Sequence, residues 1–392
     1  MYKRITNIIL FLYILSLYLF SKNATLYKVS NIVALVFFIL VIMEILVSKK
    51  KITISYVVIA QLAFIFVCII SYFVALDKET VTGVIQTLFS LLILVWAIIN
   101  YIDDFDQFNA LLRYVIYSGI ISAVYILANP SHTQYGRLGS ILGDENHIAL
   151  MMGMSFLFSI YFIAFKKKFI YIPISVVIFY CILLTGSRIA LIFVVLSTLM
   201  TFMFRYKDSF ISMTKYILFV VLVGIVCYIL LFQVPSIYSA VGVRFQNLFD
   251  FVSGKGTDEG SILARFYYTK LGFQMFFERP ILGYGIGNYS SLLQSVAGRE
   301  NYSHNNYTEL LVGTGLIGAI TYYMVYILSL VNLFKFIKSK NAFGFLLFSM
   351  VFTTMIIGYS WVYYQMKMFY VFNAIIAVFI KLNHEEFKSK ET

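Results

Sequence analysis

Charge is scarce in this sequence. Asp, Glu, Lys and Arg make up 12% of its 392 residues, about half the roughly 25% of soluble domains. That deficit excludes an ordinary soluble globular protein. Proline is scarcer still, with four residues, so Pro-rich linkers and a large soluble domain are not expected. The three cysteines, Cys68, Cys181 and Cys227, each lie inside an apolar run. They read as small buried hydrophobes, with neither a disulfide framework nor metal-ligand spacing. No Asp-rich or His-rich cluster suggests a metal, and no cofactor is expected. No tandem repeat or low-complexity run is present. The first apolar run has no small-residue cleavage site after it, so it reads as a retained helix.

What is abundant is apolar. Hydrophobic residues make up 61% of the chain, with 39 Phe and 31 Tyr. The net charge of +12 would suit nucleic acid in a soluble protein. Here the basic residues stand in short clusters between apolar runs, the pattern of topology determinants and anionic-headgroup contacts. Membrane lipids are the expected partners, and nucleic acid is set aside.

A span needs about 20 apolar residues. Twelve segments qualify: 5–20, 28–48, 54–76, 80–99, 108–128, 147–165, 169–185, 188–205, 214–233, 307–334, 342–359 and 361–381. The expected fold is an all-α polytopic membrane protein of about 12 transmembrane helices. It divides into 1–233 with nine spans, a long extracytoplasmic loop at 234–306, and 307–392 with three spans and a cytoplasmic tail. Lys3/Arg4, Lys49–Lys51, Lys166–Lys168, Arg205/Lys207/Lys215, Lys335/Lys338/Lys340 and Lys381/Lys388/Lys390 then share one side. The short loops of the other side hold only Lys22, Lys28, Lys78, Arg137 and Arg188. The positive-inside rule therefore puts both termini in the cytoplasm, and the acidic inner loop at Asp103, Asp104 and Asp106 carries little weight.

Within the long loop, Ile262 to Glu278 reads as an interfacial helix, ended by Pro280. Gly283-Tyr-Gly-Ile-Gly287 then predicts a flexible turn; no strand precedes it, so it is not a dinucleotide loop. Asn306-x-x-Glu309 resembles a capping box. It would set Ser303, His304 and Asn305 at a helix mouth.

Several polar residues stand out against this background. Arg188, in the hinge Thr185-Gly-Ser-Arg188, lies at or inside the outer membrane surface, where a charge is costly unless paired or solvated. Arg265 and Arg279 lie along the interfacial helix, where headgroup binding is the plain alternative. His304 sits among Ser303, Asn305, Asn306 and Glu309, suited to acid/base work or substrate contact. His132 and His147 bracket a shorter outer loop, which carries Arg137, Gly139, Gly143, Asp144, Glu145 and Asn146. Lys367 falls about six residues into the last span, roughly 9 Å at helical rise. Glu44 is expected to snorkel from the inner end of its span. Arginine forks match diphosphate oxygens, and a histidine can take a hydroxyl proton. Together these parts fit a lipid-diphosphate substrate, with arginines stabilising the leaving group where a metal serves elsewhere.

In order and spacing, these residues resemble the O-antigen ligase / Wzy polymerase superfamily of bacterial polysaccharide assembly. The matching stretches are Arg137 to Asn146, Leu184-Thr-Gly-Ser-Arg-Ile-Ala190, Ala264-Arg265 through Arg279-Pro280 to Asn288, and His304 to Leu310 through Gly313 to Gly318. The resemblance covers about residues 130–320. It implies a metal-independent glycosyltransferase using undecaprenyl-diphosphate-linked oligosaccharide at the outer face of the bacterial cytoplasmic membrane. It implies that Arg188 and Arg265 bind the diphosphate and that His304 activates the acceptor hydroxyl. Candidate substrate contacts are Arg137, Asp144, Glu145, Asn146, Arg279, Asn305, Asn306 and Glu309. Asp144-Glu145 departs from the family pattern; those carboxylates could pair with Arg137 or bind sugar hydroxyls, and because they would repel a diphosphate they are placed on the sugar side. A flippase and a chain-length regulator are the expected protein partners. Low Pro and abundant Ile, Lys, Phe, Tyr and Asn point to an AT-rich genome and so to a Gram-positive capsule producer, which favours a polymerase of capsular or exopolysaccharide repeat units. An O-antigen-ligase-type transfer is the alternative. A transporter would typically show internal repeats with paired broken helices, and none is evident.

Overall fold

The computed structural model describes residues 2–20, 24–131, 137–139, 141–206 and 208–391. His132, Lys22 and Lys207 lie outside the described residues. Every regular element among the described residues is helical. The first nine helices are α1 (Tyr2–Leu19), α2 (Ala24–Ser48), α3 (Tyr56–Tyr72), α4 (Lys78–Tyr101), α5 (Phe105–Ala128), α6 (Glu145–Ala164), α7 (Tyr171–Leu184), α8 (Arg188–Tyr206) and α9 (Phe210–Gln233). The stretch predicted as one long loop is itself largely helical. It holds a single turn, α10 (Pro235–Ile237), a π-helical turn at Tyr238–Gly242, α11 (Val243–Val252), α12 (Gly260–Glu278) and α13 (Tyr289–Ala297). The chain ends with α14 (Asn306–Lys338), α15 (Ala342–Ile357) and α16 (Lys367–Glu391).

A helix occupies each of the twelve predicted segments. Among the described residues, seven helices are long and apolar enough to cross a membrane: Lys28–Ser48 of α2, then α4, α5, α6, α8, α9 and α14. Helices α3, α7 and α15 are apolar but shorter. The chain is thus an all-helical polytopic membrane protein, with the count of twelve resting on the sequence pattern. The last span starts late because residues 358–366 form turns, so Lys367 is the first residue of α16 rather than six residues inside it. Glu44 does not snorkel. It is buried on the α2 stripe of Phe37, Val41 and Ile45, the spacing of one helix face.

Two compact units are each assembled from three chain stretches. One holds Met1–Ile39, Phe105–Thr257 and Leu333–Thr353; the other holds Leu40–Asp104, Asp258–Asn332 and Thr354–Thr392. In the first unit α6 packs against α5, α7 and α8, and α1 packs on α5. Gly119 of α5 lets Ser155 of α6 come close, the small-residue approach common between membrane helices. Ser155 donates to the Val115 carbonyl at 2.8 Å, and the Tyr18 hydroxyl donates to the Met151 carbonyl at 2.9 Å.

In the second unit α4 packs against α3 and α16. At one end of α4, Lys381 donates to the carbonyls of Ile99 and Ile102 at 3.0 and 2.9 Å. Lys50 and Lys381 both pair with Asp103. Cations at a helix C-terminus satisfy its free carbonyls and its dipole.

Helix α14 is not continuous. Gly315 takes φ 64°, ψ −166° inside it, which frees backbone groups at membrane depth that must be bonded again. The glycine segment 283–287 meets this need. Tyr284 and Gly285 donate to the carbonyls of Val312 and Gly313 at 2.8 and 2.9 Å, and Leu316 donates to the Pro280 carbonyl at 2.8 Å. The segment is therefore a buried, hydrogen-bonded staple and not a flexible turn. Gly283, Gly285 and Gly287 all have positive φ. A Cβ on Gly283 would strike the backbone of Val312 and Gly313, so two backbones meet only because side chains are missing.

Candidate functional site

The candidate residues fall into two clusters, one in each unit. In the first unit the hinge between α7 and α8 turns at Gly186, with φ 62°. Arg188 opens α8 and is buried, 6% exposed. Its Nη1 donates to the Arg244 carbonyl, and Arg244 Nη1 donates back to the Gly186 carbonyl at 2.6 Å. The hinge is thus clasped to α11 by two arginines. Both stand at the N-terminal end of α8, where the helix dipole is also positive. Such a place favours an anion.

Arg137 supports this hinge from the other side. Its Nε donates to the Thr185 carbonyl at 2.8 Å, its Nη2 to Asn146 Oδ1 at 3.1 Å, and its Nη1 lies 3.2 Å from Glu145 Oε2. Asp144 caps α6, accepting from the backbone N–H groups of Asn146 and His147 at 2.9 and 3.0 Å. The carboxylates are expected on the sugar side; the geometry pairs Glu145 with Arg137 and makes Asp144 a helix cap.

In the second unit the cluster forms around His304. Gly272 lets the Thr308 methyl and the Tyr289 ring reach α12. Tyr268, Met275, Tyr284, Tyr289, Leu292, Leu293 and Val312 make the core beneath it. Arg265 and Tyr268 lie three residues apart on α12, on one helical face, and both bear on His304. The imidazole is stacked on the Tyr268 ring at 6.3 Å and touches the Tyr302 ring at 4.0 Å. Its Nδ1 is buried with no hydrogen-bond partner, so these ring contacts help to hold it. Burial first, and the Arg265 charge second, push its pKa down to about 4. The ring is therefore neutral at neutral pH.

The residues after His304 build the helix mouth, one position earlier than predicted. Asn305, not Asn306, caps α14, accepting from Tyr307 and Thr308 N–H at 3.0 and 3.2 Å. Glu309 accepts from the Ser303 N–H at 3.0 Å. Asn306 ties α14 to the segment before α16. Its Oδ1 accepts from Tyr363 and Tyr364 N–H at 2.9 and 3.1 Å, and its Nδ2 donates to the Tyr323 hydroxyl at 2.9 Å. Arg279 is not brought to His304. It ends α12, roughly 21 Å along the helix from Arg265 at 1.5 Å per residue, with its guanidinium 4.5 Å from the Tyr284 ring centroid. Sequence reasoning missed Arg244. No motif marks it, and only its exchange of bonds with the hinge reveals it.

The two polar clusters are thus a neutral histidine near the Arg265 charge in one unit and an arginine clasp at the start of α8 in the other. Residues 173–323 match the family model described as O-antigen ligase. The match runs from α7 through the Gly315 break, and takes in Arg188, Arg244, Arg265, Arg279, His304 and Glu309. The match supports the resemblance of this segment to the O-antigen ligase / Wzy superfamily. No curated protein matches the chain significantly.

Proposed function

We propose that the chain polymerises undecaprenyl-diphosphate-linked oligosaccharide repeat units into capsular or exopolysaccharide at the outer face of the bacterial cytoplasmic membrane. The observation that carries this reading is a buried His304 that feels the charge of Arg265, inside the segment that matches the O-antigen ligase family. In the reaction, an acceptor hydroxyl attacks the anomeric carbon of the donor. The bond from that carbon to the diphosphate oxygen breaks, and its electron pair leaves with the lipid diphosphate. The hydroxyl proton passes to His304. As the resemblance implies, Arg188 and Arg265 are the candidate ligands of the diphosphate, through charge-assisted hydrogen bonds. A diphosphate arriving beside Arg265 offsets its positive charge and raises the pKa of His304. The base thus strengthens when substrate is bound.

Arg137, Glu145 and Asn146 support the reaction by bracing the hinge that carries Arg188, and Asn305, Asn306 and Glu309 by fixing the mouth that carries His304. The description of the matched family favours a second reading, transfer of a finished glycan to another acceptor.

The test is a gel ladder of polysaccharide from cells carrying Arg188→Ala, Arg265→Ala or His304→Ala, each checked for membrane expression, beside a deletion strain. Normal expression with single lipid-linked units and no ladder supports the polymerase. Long chains that persist unattached in the deletion strain support the ligase. Wild-type ladders in all three variants overturn the site.

A further inference from the structure

Polar side chains are costly inside apolar helices, because hydrocarbon offers them no partner. Helix α3 nevertheless carries Gln61, and α16 carries Asn373. Gln61 and Phe64, like Tyr370 and Asn373, stand three residues apart, and Tyr322 and Tyr326 of α14 four. Each pair therefore shares a helix face. In the second unit these faces meet around a small cavity of about 10 Å³, whose lining side chains are uncharged. The Phe64 ring stands edge-on to Tyr322, 5.1 Å between centroids. Gln61 and Asn373 are buried, 6% and 4% exposed. The lining tyrosines already have partners. The hydroxyls of Tyr322 and Tyr326 lie 3.3 Å apart, and Tyr370 donates to the Tyr364 carbonyl at 2.7 Å. The two amides differ. Gln61 Oε1 and Nε2 and Asn373 Oδ1 have no hydrogen-bond partner among the described residues. Two acceptors and one donor thus belong to residues that line one cavity.

We propose that this cavity is a binding site for a single water molecule, which joins Gln61 of α3 to Asn373 of α16 among apolar helices. The size agrees, since about 10–15 Å³ is the least that admits a water. The chemistry agrees as well. A water brings two protons for the amide oxygens and lone pairs for the amide N–H. A monovalent cation would suit the two oxygens but repel the Gln61 N–H groups, and no carboxylate lines the cavity to offset its charge. Hydrocarbon would leave all three atoms unpaired. Tyr323, next to Tyr322, accepts from Asn306 Nδ2 at 2.9 Å. The bridge therefore lies beside the same stretch of α14 that ties down the helix mouth. No lipid-linked substrate enters this site, which stands whether or not the chain is a polymerase.

The direct test is a crystal structure of the full-length protein, grown in a lipidic mesophase, at a resolution that shows ordered water. One density peak within about 3.2 Å of both amides is expected, and a cavity with no peak overturns the proposal. Stability gives an independent answer by its sign. Gln61→Met keeps the length of the side chain and removes its amide. If a water bridges the amides, this change strips Asn373 of its connection. The unfolding temperature in detergent is then expected to fall by about 2–4 °C. Asn373→Leu is expected to act alike, and the double variant to fall by less than the two falls added. In a dry cavity each change removes an unpaired buried amide, so the temperature rises. A rise in either single variant, or strict additivity, overturns the bridge. The wild-type temperature is expected to be equal in sodium, potassium and choline chloride. A rise specific to sodium or potassium that Gln61→Met abolishes makes this a cation site and also overturns the proposal.

Discussion

An ordinary histidine titrates near pH 6.5, and His304 sits well below that because burial and Arg265 both disfavour its charged form. A general base works only when neutral, so activity is lost as pH falls through the folded pKa. The acidic limb of kcat/KM reports the free enzyme and is expected near pH 4. In Arg265→Gln the charge contribution disappears while burial stays, so the limb moves up toward the ordinary value. A limb near 6.5 that Arg265→Gln leaves unmoved would show that His304 is not the titrating base. Arg188, Arg265 and His304 are legible in the sequence because charged residues next to apolar runs are costly and conspicuous. The division of labour around them is not. Whether Glu145 meets Arg137 or a sugar, and whether Asn305 or Asn306 caps α14, depends on side-chain directions that spacing alone leaves open. Arg244 looks like any loop arginine until the backbone it bonds to is known.

The elements show the same division between local and distant causes. Helix positions follow from hydropathy, a local property, and each predicted segment holds a helix. The break in α14 does not, because the residues that make it tolerable lie about thirty positions upstream. Gly283-Tyr-Gly-Ile-Gly287 looks flexible by composition, yet its N–H groups are committed to Val312 and Gly313. Gly315→Ala is the direct probe. It forces a side chain into a conformation reserved for glycine, at about 1–3 kcal/mol, and drives a Cβ into the Ile281 carbonyl. The expected outcome is a lower unfolding temperature in detergent than for Gly83→Ala, whose Cβ meets open space. Equal temperatures would mean that the break is not held as described.

Within each unit of the molecule, contacts join segments that the charge pattern assigns to the same side. Lys50, Asp103 and Lys381 meet in one unit, and Lys340 and Asp208, 2.6 Å apart, meet in the other; all five belong to predicted inner segments. On predicted outer segments, Asp77 N–H donates to Asn288 Oδ1 at 2.6 Å, and Arg137 reaches the Thr185 carbonyl. Within each unit, then, the segments that meet are ones the charge pattern assigns to one side, and on the lysine excess we propose that the lysine-bearing side faces the cytoplasm. Reporter fusions at both termini are expected to read cytoplasmic; a C-terminal fusion active only outside would reverse the sidedness proposed for the site.

The break at Gly315 also bears on how the protein meets membranes of different thickness. A long helix answers a thicker or thinner bilayer by tilting, and a rigid rod would carry that tilt to its far end. Here the segment Asn306–Thr314 is a separate short arm, bonded to the glycine staple and capped by Asn305. The staple is bonded to both arms, to Val312 and Gly313 on one side and to Leu316 on the other, so the short arm takes its direction from the staple and not from a straight continuation of the longer arm. His304, next to the cap of the short arm, is thereby referred to the staple and not to the tilt axis of a single rod.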